Sequence, residues 1–480
     1  MPRRPVSTRK GLVKRRTLVV RLVAVVIVLV VAGTLSYLLL VRTPSTPGAP
    51  PPSGVAVCSS NGTDSSGGNW TTYHGSNTHG GVEAAGDVTG LSPLWGSPTS
   101  VDGQVYAEPL TCGNAVFVAT EGDSVYALNA SSGATLWAQN LGTPMPGASL
   151  PCGDISPSGI TGTPVIDVAT GTLYAVAFLS SGQHLLFGLS VANGSVLSQR
   201  VVDANGSNPL VEQQRGALVL ANGYVYIEYG GLYGDCGDYH GWVVGAPVSG
   251  SGPLVSYQVP TQREGGIWGV AGAGVAANGD LYVATGNGAS STTFDHGDAV
   301  IELAPNLTEL GYFAPTNWVQ LNEDDLDLGS VAPTVLPDGD VFEIGKQGVG
   351  YLLSGSDLGG IGGEITNTSI CAGGYGGTAL VGTTILVPCD DGITAVVANA
   401  TNLTVAWQSP SFDAGSPVVT GNVIWVTNVS RGDLLGLDLA SGQIVAAYHL
   451  GSVDHFVSPA AAPGRLFVGA GSEVYGFSLA

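Results

Sequence analysis

Positive charge is scarce in this sequence, and most of it lies at the N-terminus. The chain of 480 residues has 15 lysines and arginines, and its only lysines are Lys10, Lys14 and Lys346. Nine of the 15 lie at position 42 or earlier, so six face all 36 acidic residues in the rest of the chain, a net charge of −30 there. Because nucleic-acid binding needs a basic surface, this deficit excludes nucleic acid as a partner.

Metal-binding cysteine motifs are also absent. No CxxC or CxxCH occurs, which excludes zinc-ribbon and c-type haem sites. The six cysteines are an even number and predict up to three disulfides in an oxidising compartment. Cys371 and Cys389 flank one predicted strand pair and are the favoured bridge; the further candidates are Cys152–Cys236 and Cys58–Cys112.

Long apolar runs are missing from the chain except near its start. Residues 1–21 form a basic tail, and residues 22–41, LVAVVIVLVVAGTLSYLLLV, carry no charge. About 20 apolar residues span a bilayer, and a basic flank favours the cytoplasmic side. We therefore expect a single-pass signal anchor in the cell membrane with the rest of the chain outside; a cleaved signal peptide is the alternative. Residues 42–69, rich in proline, glycine and serine, are predicted to form a linker.

Helical periodicity is missing from residues 70–480, where a unit of short strands recurs instead. One copy, AEPLTCGNAVFVATEGDSVYALNASSGATLWAQNLG, predicts four strands separated by glycine-containing turns. Eight such units lie 39 to 60 residues apart, and their landmark residues are Pro109, Pro164, Ala217, Ala273, Pro333, Thr378, Pro417 and Pro459. This period predicts an all-β fold, an eight-bladed β-propeller with about four strands per blade.

The eighth unit lacks its fourth strand. The sequence GRLFVGAGSEVYGFSLA ends after a third strand, whereas a segment of the missing type, LSPLWGSP, residues 91–98, precedes the first unit. We expect this N-terminal strand to complete blade 8, because ring closure leaves no open sheet edge. The preceding GNWTTYHGSNTHGG is expected to pack across the ring.

Long insertions fall in two classes of connection. One class joins the second and third strands of a blade (b–c), and the other joins the last strand of one blade to the next blade (d–a). In antiparallel blades these two classes share one face of the propeller, which we call the loop face. Long loops on a rigid scaffold concentrate function, so we expect the ligand or partner site there.

Acidic residues cluster in two of these loops. The loop NEDDLDLG offers oxygen ligands that suit Ca²⁺, or is simply a solvated acidic loop; its carboxylates are Glu323, Asp324, Asp325 and Asp327. The loop GDCGDYHG places Asp235, Asp238 and His240 around Cys236. It is either a metal or acid–base site or a polar loop held by a disulfide.

Three further residues are candidates by type and position. Trp268 in GGIWGV lies on a d–a loop, where it either stacks on a planar ligand or packs at the rim. Asn287 in ATGNG follows an apolar strand, without the spacing or helix of a dinucleotide site. Lys346 in GKQGVGYLL falls on the b–c turn of the fifth blade, as either a ligand contact or an exposed turn lysine.

The unit DSVYALNASSGATLW resembles the pyrroloquinoline-quinone (PQQ) repeat, G-x-V-Y-A-L-D-x-x-T-G-x-x-x-W. The resemblance covers about residues 70–480 and implies an eight-bladed propeller of PQQ-repeat type. Relatives include quinoprotein alcohol dehydrogenases and the scaffold propeller of outer-membrane assembly. The chain is also similar to PQQ-binding-like propeller proteins of actinobacteria, which have no assigned activity.

The resemblance to the dehydrogenases implies roles for individual residues. Trp268 matches the tryptophan that stacks under the cofactor, and Asn287 matches a calcium ligand. Asp327 matches the catalytic aspartate of a D-x-W-D motif, which also binds calcium, although Leu326 replaces the tryptophan. Lys346 matches the basic residue that contacts the quinone carbonyls.

The chain also departs from that family. The adjacent cysteine pair is missing, since LPCGD has Cys152 alone, and Asp235 or Asp238 would have to replace the calcium-binding glutamate. Glu108 in YAEPL lies one residue from the family's cofactor-binding glutamate. The residues available for the cofactor's carboxylates are Arg215 and Arg263.

Two functions are compatible with this pattern. The leading expectation is a ligand- or protein-binding scaffold that uses the loop face. The alternative is a PQQ- and Ca²⁺-dependent dehydrogenase of an alcohol or sugar, with Asp327 as the base. In that case Trp268, Asn287, Asp327 and Lys346 are expected to converge around one axial cavity.

Overall fold

The computed structural model describes residue 58, residues 68–84 and residues 86–480. The expected basic tail, membrane anchor and most of the linker lie outside these residues. Among the described residues, no helix is both long and apolar enough to cross a membrane.

The described chain forms eight sheets, each built on the antiparallel strands of one propeller blade. Each blade has strands a to d from the axis outward, and each a strand begins within two residues of its predicted landmark. Three strands precede the first blade: β1 (Val82–Glu83), β2 (Leu91–Pro93) and β3 (Thr99–Ser100).

Blades 1 to 4 follow in chain order. Blade 1 consists of β4 (Leu110–Cys112), β5 (Ala115–Ala119), β6 (Ser124–Asn129) and β7 (Thr135–Asn140). Blade 2 consists of β8 (Val165–Asp167), β9 (Thr172–Leu179), β10 (Gln183–Ser190) and β11 (Val196–Val201). Blade 3 consists of β13 (Val219–Ala221), β14 (Tyr224–Gly231), β15 (Trp242–Pro247) and β16 (Val255–Gln258), with β12 (Glu212–Gln213) paired to β14. Blade 4 consists of β17 (Gly274–Val275), β18 (Leu281–Ala284), β19 (Val300–Leu303) and β20 (Glu309–Ala314).

Blades 5 to 8 complete the ring. Blade 5 consists of β21 (Thr334–Val335), β22 (Val341–Ile344), β23 (Val349–Leu353) and β25 (Thr366–Ser369), while β24 (Gly360–Ile361) joins the edge of blade 4. Blade 6 consists of β26 (Ala379–Val381), β27 (Thr384–Cys389), β28 (Gly392–Asn399) and β29 (Asn402–Gln408). Blade 7 consists of β30 (Val418–Thr420), β31 (Val423–Asn428), β32 (Asp433–Asp438) and β33 (Ile444–His449). Blade 8 contributes β34 (Ala460–Ala462), β35 (Arg465–Ala470) and β36 (Glu473–Leu479).

The predicted ring closure is confirmed. Strand β2 pairs antiparallel with β36 as the fourth strand of blade 8, and β3 pairs with β36 further along. The N-terminal and C-terminal ends of the propeller therefore share one sheet, and β36 is paired along both of its edges.

The burial pattern explains why these segments form blades. Strand β5 is buried throughout because both of its faces pack against neighbouring blades, whereas the outer strand β7 alternates between exposed and covered residues. The core consequently lies between successive blades.

A tryptophan–glycine contact links successive blades and explains the repeat motif. The rings of Trp95, Trp137 and Trp407 pack on turn glycines of the next blade. A Cβ atom on Gly194, for example, would lie 2.6 Å from the Trp137 ring, and the backbone of Gly194 has a φ of +73°. Only glycine fits both constraints, and so tryptophan and glycine recur together.

An axial segment, residues 70–81, fills part of the central channel as expected. Its backbone and side chains hydrogen-bond with groups at the first strands of seven blades, namely those of Thr111, Ile166, Leu220, Val275, Thr378, Val419 and Ser458. His79 lies near the carbonyl of Pro333 at the remaining blade, blade 5. The segment thus bridges the entire ring.

All three suggested disulfides are present, at Cys58–Cys112, Cys152–Cys236 and Cys371–Cys389. The all-β fold is confirmed, and one short helix interrupts it. A seven-residue helix, α1 (Trp318–Asp324), forms in the connection between blades 4 and 5. It is too short to show a helical period, and it buries Trp318 and Leu321 on one side.

Candidate functional site

An axial cavity of about 660 Å³ opens on the loop face. Its lining residues come from b–c and d–a connections, with Asp154 and Arg215 on one side and Asn287 and Lys346 on another. Seven of the candidate residues named from the sequence line this cavity; they are Arg215, Asp235, Trp268, Asn287, Asp325, Asp327 and Lys346. The expected convergence of Trp268, Asn287, Asp327 and Lys346 is therefore present.

Trp268 forms an aromatic part of the cavity wall. It lies on the d–a connection between blades 3 and 4 and is half-buried. The Lys346 ammonium stands 5.5 Å from the centroid of the Trp268 ring, within the range of a cation–π interaction. A Cβ atom on Gly286 would come within 2.8 Å of an Asp327 carboxylate oxygen and 3.1 Å of the Trp268 indole nitrogen, so a glycine is needed between these groups.

Lys346 is held by two carboxylates. Its Nζ lies 2.8 Å from Asp327 and 3.0 Å from Asp325, and its backbone N–H donates to the Asp327 carbonyl at 2.9 Å. Burial lowers the pKa of Lys346, but the charges of Asp327 and Asp325 outweigh this effect and leave the pKa above its ordinary value. Lys346 therefore remains a cation inside the cavity.

Asp327 is nearly buried at the base of this group. Burial raises its pKa, while Lys346 and the backbone N–H of Asn287 oppose that shift. The Asn287 N–H donates to Asp327 at 3.0 Å, and the Asn287 side-chain N–H donates to Asp325 at 3.1 Å. The side-chain oxygen of Asn287 is buried and has no hydrogen-bond partner among the described residues.

A second buried carboxyl group lies behind Asp327. Asp298 accepts a hydrogen bond from the Leu328 backbone at 3.1 Å, and burial together with the charge of Asp327 raises its pKa to about 8. A neutral carboxyl here leaves the Asp327–Lys346 pair as the charged centre of the wall. The sequence offered no signal for Asp298, which precedes a strand in the ordinary sequence HGDAV.

Glu108 does not line the axial cavity. It is buried beneath the axial segment, where it accepts hydrogen bonds from the Trp70 indole and, at 3.0 Å, from the His74 backbone. Burial raises its pKa to about 8. Its side chain therefore supports the axial segment and does not face the ligand cavity.

The two acidic loops are divided by the fold. In NEDDLDLG, Glu323 and Asp324 end the helix α1, and only Asp325 and Asp327 reach the cavity. In GDCGDYHG, Asp235 lines the cavity, whereas Asp238 is exposed and does not. The first loop therefore supplies two carboxylates to the cavity and the second loop supplies one.

One cluster of potentially metal-ligating side chains occurs in the described part of the chain. The one group of three His, Cys, Asp or Glu ligand atoms within 4.8 Å is Cys371, Cys389 and Asp391, and its sulfurs are joined in a disulfide. A metal in the axial cavity would therefore need the Asn287 oxygen or backbone groups in addition to carboxylates.

The cavity wall carries a second cation, Arg215, which is half-buried. The Arg215 guanidinium lies 3.9 Å from Asp154 and 5.4 Å from the centroid of the Phe456 ring. Arg215 and Phe456 also border a space of about 10 Å³ whose far wall is Tyr73 of the axial segment. Sequence reasoning had named Arg215, but it missed Phe456, Tyr233 and Tyr375, aromatic loop residues outside any repeat motif.

Residues 92–231 match the sequence model of a family described as outer membrane protein assembly factor BamB. No curated protein matches the chain. Among solved structures, a quinohemoprotein alcohol dehydrogenase from Pseudomonas putida HK5 is 13% identical, with 87% of this chain and 81% of that chain covered and a TM-score of 0.68.

Two further solved structures are similar. A europium-containing methanol dehydrogenase is 14% identical, covering 86% of this chain and 98% of its own, with a TM-score of 0.66. BamB from Moraxella catarrhalis is 15% identical, covering 81% and 98%, with a TM-score of 0.54. These likenesses concern the fold, which is shared by dehydrogenases and an assembly factor alike.

Proposed function

We propose that this chain, a β-propeller of the PQQ-repeat family, is a binding module whose axial cavity holds a planar, anionic small molecule. The supporting observation is the pairing of Trp268 with Lys346 in the wall of one cavity. An aromatic ring offers a stacking surface, and the half-buried Lys346 ammonium can contact a negatively charged group beside its two carboxylates.

Two cations and four carboxylates line the cavity, an arrangement that suits an anionic ligand bound together with a metal cation. The part of the chain after residue 42 has six basic residues, and two of them, Arg215 and Lys346, line the axial cavity. In a domain with a net charge of −30, placing scarce cations around one cavity is a specific arrangement. The flat surface of a protein partner could not reach cations inside a cavity, whereas a small ligand could contact them.

The residues present fit a quinone of the PQQ class together with Ca²⁺. Trp268 would lie against the ring system, and Lys346 would contact its carbonyl oxygens. The buried Asn287 oxygen without a partner and the Asp327 carboxylate are oxygen ligands of the kind Ca²⁺ prefers, with Asp235 across the cavity as a further candidate. Arg215, which also lines the cavity, would contact a carboxylate of the ligand.

A PQQ- and Ca²⁺-dependent dehydrogenase of an alcohol or sugar is the second candidate function, and the position of Asp327 favours it. When bound, the quinone supplies the two-electron acceptor and Ca²⁺ polarises it. Asp327 faces the cavity as a carboxylate held by Lys346 and the Asn287 N–H. Such a carboxylate can accept the proton of a substrate hydroxyl group.

For location, we propose that residues 22–41 anchor the chain in the cell membrane with the propeller outside. The three disulfides of the described residues support an oxidising compartment. A protein partner on the loop face, as for a scaffold propeller, would then be another exported or membrane protein.

Equilibrium binding of PQQ with Ca²⁺ to the full-length chain tests the proposal. We expect a dissociation constant in the micromolar range or tighter, measured by the quenching of tryptophan fluorescence. In Lys346→Ala the affinity should fall at least about tenfold. Arg465→Ala, which removes a cation outside the cavity, is the matched control and should bind normally. Absence of binding at micromolar PQQ would refute the proposal.

Dye-linked oxidation of alcohols and sugars then separates the two functions. If the chain is a dehydrogenase, Asp327→Asn should abolish oxidation and still bind PQQ. Binding without any oxidation by the unmodified chain would leave the binding module and exclude the dehydrogenase for the substrates used.

A further inference from the structure

Tyr233 stands at the mouth of the axial cavity with its side chain largely in solvent. It is 69% exposed, the largest value for any large hydrophobic side chain in the described residues. It lines the same cavity as Trp268 and Lys346. A single exposed aromatic residue is ordinary by itself, but the backbone of Tyr233 is held in an unusually fixed position.

A tight turn presents Tyr233 at its corner. The Asp235 N–H donates to the Leu232 carbonyl at 3.0 Å, which closes a four-residue turn with Tyr233 and Gly234 in the middle. Gly234 has a φ of +97°, the conformation that a type II turn requires at its third position and that favours glycine there. Tyr233 occupies the second position and therefore points away from the turn.

Both sides of this turn are anchored. Leu232 is buried, and the Asp235 carboxylate accepts a hydrogen bond at 2.7 Å from the hydroxyl of the buried Tyr239. The next residue, Cys236, is bonded to Cys152 on the connection between blades 1 and 2. The backbone under Tyr233 is thus fixed from three directions, while its own ring remains free to meet a ligand.

We propose that Tyr233 is a ligand-contacting residue, which covers a planar ligand at the cavity mouth while Trp268 contacts it from the cavity wall. This inference rests on the proposed function. A tyrosine side chain has few rotatable bonds, and on a fixed turn it loses little conformational freedom when a ligand packs against it. The ring of Tyr233, rather than its hydroxyl group, makes the contact.

Binding of PQQ with Ca²⁺ to full-length variants tests the role of the ring. We expect Tyr233→Ala to weaken binding about tenfold and Tyr233→Phe to bind like the unmodified chain. The control is Val445→Ala, which trims a side chain that is 59% exposed on the outer strand of blade 7, and it should leave binding unchanged. Unchanged binding in Tyr233→Ala would overturn the inference, while a loss in Tyr233→Phe equal to that in Tyr233→Ala would assign the contact to the hydroxyl and likewise overturn it.

The disulfide next to the turn gives a second measurement. Cys152→Ser with Cys236→Ser should weaken PQQ binding in the unmodified chain but weaken it less in Tyr233→Ala, because the disulfide acts by holding the tyrosine. Equal losses in both backgrounds would contradict that positioning role. If the double serine variant does not fold, the comparison of alanine with phenylalanine decides.

The outcomes also separate this inference from the proposed function. If the unmodified chain does not bind PQQ, both fail. If it binds and Lys346→Ala loses binding while Tyr233→Ala does not, the axial cavity keeps its proposed function and only the role of Tyr233 is wrong.

Discussion

The axial segment and the axial cavity are two neighbouring regions of one channel that the fold uses in opposite ways. Both regions contain aromatic and charged side chains. A space of about 10 Å³, bordered by Tyr73 of the segment and Arg215 of the cavity, lies between the two regions. In the segment, the polar groups are paired mainly with backbone and side chains of the ring. In the cavity, Lys346 and Arg215 border a volume of about 660 Å³.

The difference shows how a propeller can combine stability with binding. An axial channel lined by eight inner strands has polar groups that need partners, and the segment supplies them from the chain itself. Trp70 and His74 are buried there, and Glu108 lies beneath them. The cavity keeps its charged groups partly paired with each other, and so its surface remains available to a ligand.

The largest expected effect comes from removing Trp70, the buried ring of the axial segment. Trp70→Ala leaves a cavity and deprives Glu108 of a hydrogen-bond donor, so the free energy of unfolding should fall by about 3–5 kcal/mol. Denaturant unfolding measures this. Below the unfolding transition PQQ binding should be retained, and a variant of normal stability would show that the segment does not hold the ring together.

The pH dependence of stability should show both regions at once. Burial raises the pKa of Glu108, beneath the segment, and of Asp298, behind the cavity, to about 8. These two carboxyl groups therefore stabilise the fold at low pH, and their contribution is lost as the pH rises through that value. Burial lowers the pKa of His74 to about 3 and of His79 to about 4, so their contribution is present above the ordinary value of 6.5 and is lost as the pH falls. Thermal unfolding should therefore give the highest Tm between the ordinary values of 4.5 and 6.5.

Two variants test which carboxyl groups cause the loss of stability at higher pH. Glu108→Gln should reduce the loss of stability between pH 5 and 8, and so should Asp298→Asn. A Tm that keeps rising from pH 6 to 8 in the unmodified chain would contradict the buried, neutral state of these carboxyl groups.

Removing Trp268 should reduce ligand binding more than stability, whereas removing Trp70 should reduce stability more than ligand binding. Trp268→Ala is expected to weaken PQQ binding by about tenfold or more, because it takes away the stacking surface and the cation–π partner of Lys346. Its effect on unfolding should be smaller than that of Trp70→Ala, since Trp268 is half-buried. Equal losses of stability in the two variants would erase the distinction between segment and cavity.

The smallest effect is expected from one polar contact of the axial segment. The Ser458 hydroxyl lies 3.0 Å from His74 Nε2, so Ser458→Ala should lower the free energy of unfolding by about 1 kcal/mol. Ser441→Ala, on an exposed turn of blade 7, is the control and should change unfolding by less. PQQ binding should be the same in both variants.

Much of the fold was predictable because its signals are local. The eight landmarks and the lone strand before the first unit depend on short runs of apolar residues and glycine turns, which repeat in every blade. The Cys371–Cys389 pair followed from the same reasoning, because its two residues flank one hairpin, whereas the other two pairs were named only as further candidates. The helix α1 was missed, since seven residues carry too little periodicity to be recognised.

The site was predictable only where a motif marked it. Trp268, Asn287, Asp327 and Lys346 were found through the repeat family, and they meet in one cavity. Glu108 was placed there by the same reasoning and instead supports the axial segment. Glu108 lies outside any strand, two residues before β4, and its direction is set by its contacts with Trp70 and His74.

The sequence by itself determined a closed ring of eight blades and the face on which its long loops lie, because strand periodicity and turn residues act over a few positions. Only the tertiary structure decided which loop residues share the axial cavity. Asp154 and Phe456, both of which line it, are some 300 residues apart and are brought together by ring closure. The exposure of Tyr233 and the burial of Glu108 were likewise decided by packing between distant segments, which no local pattern records.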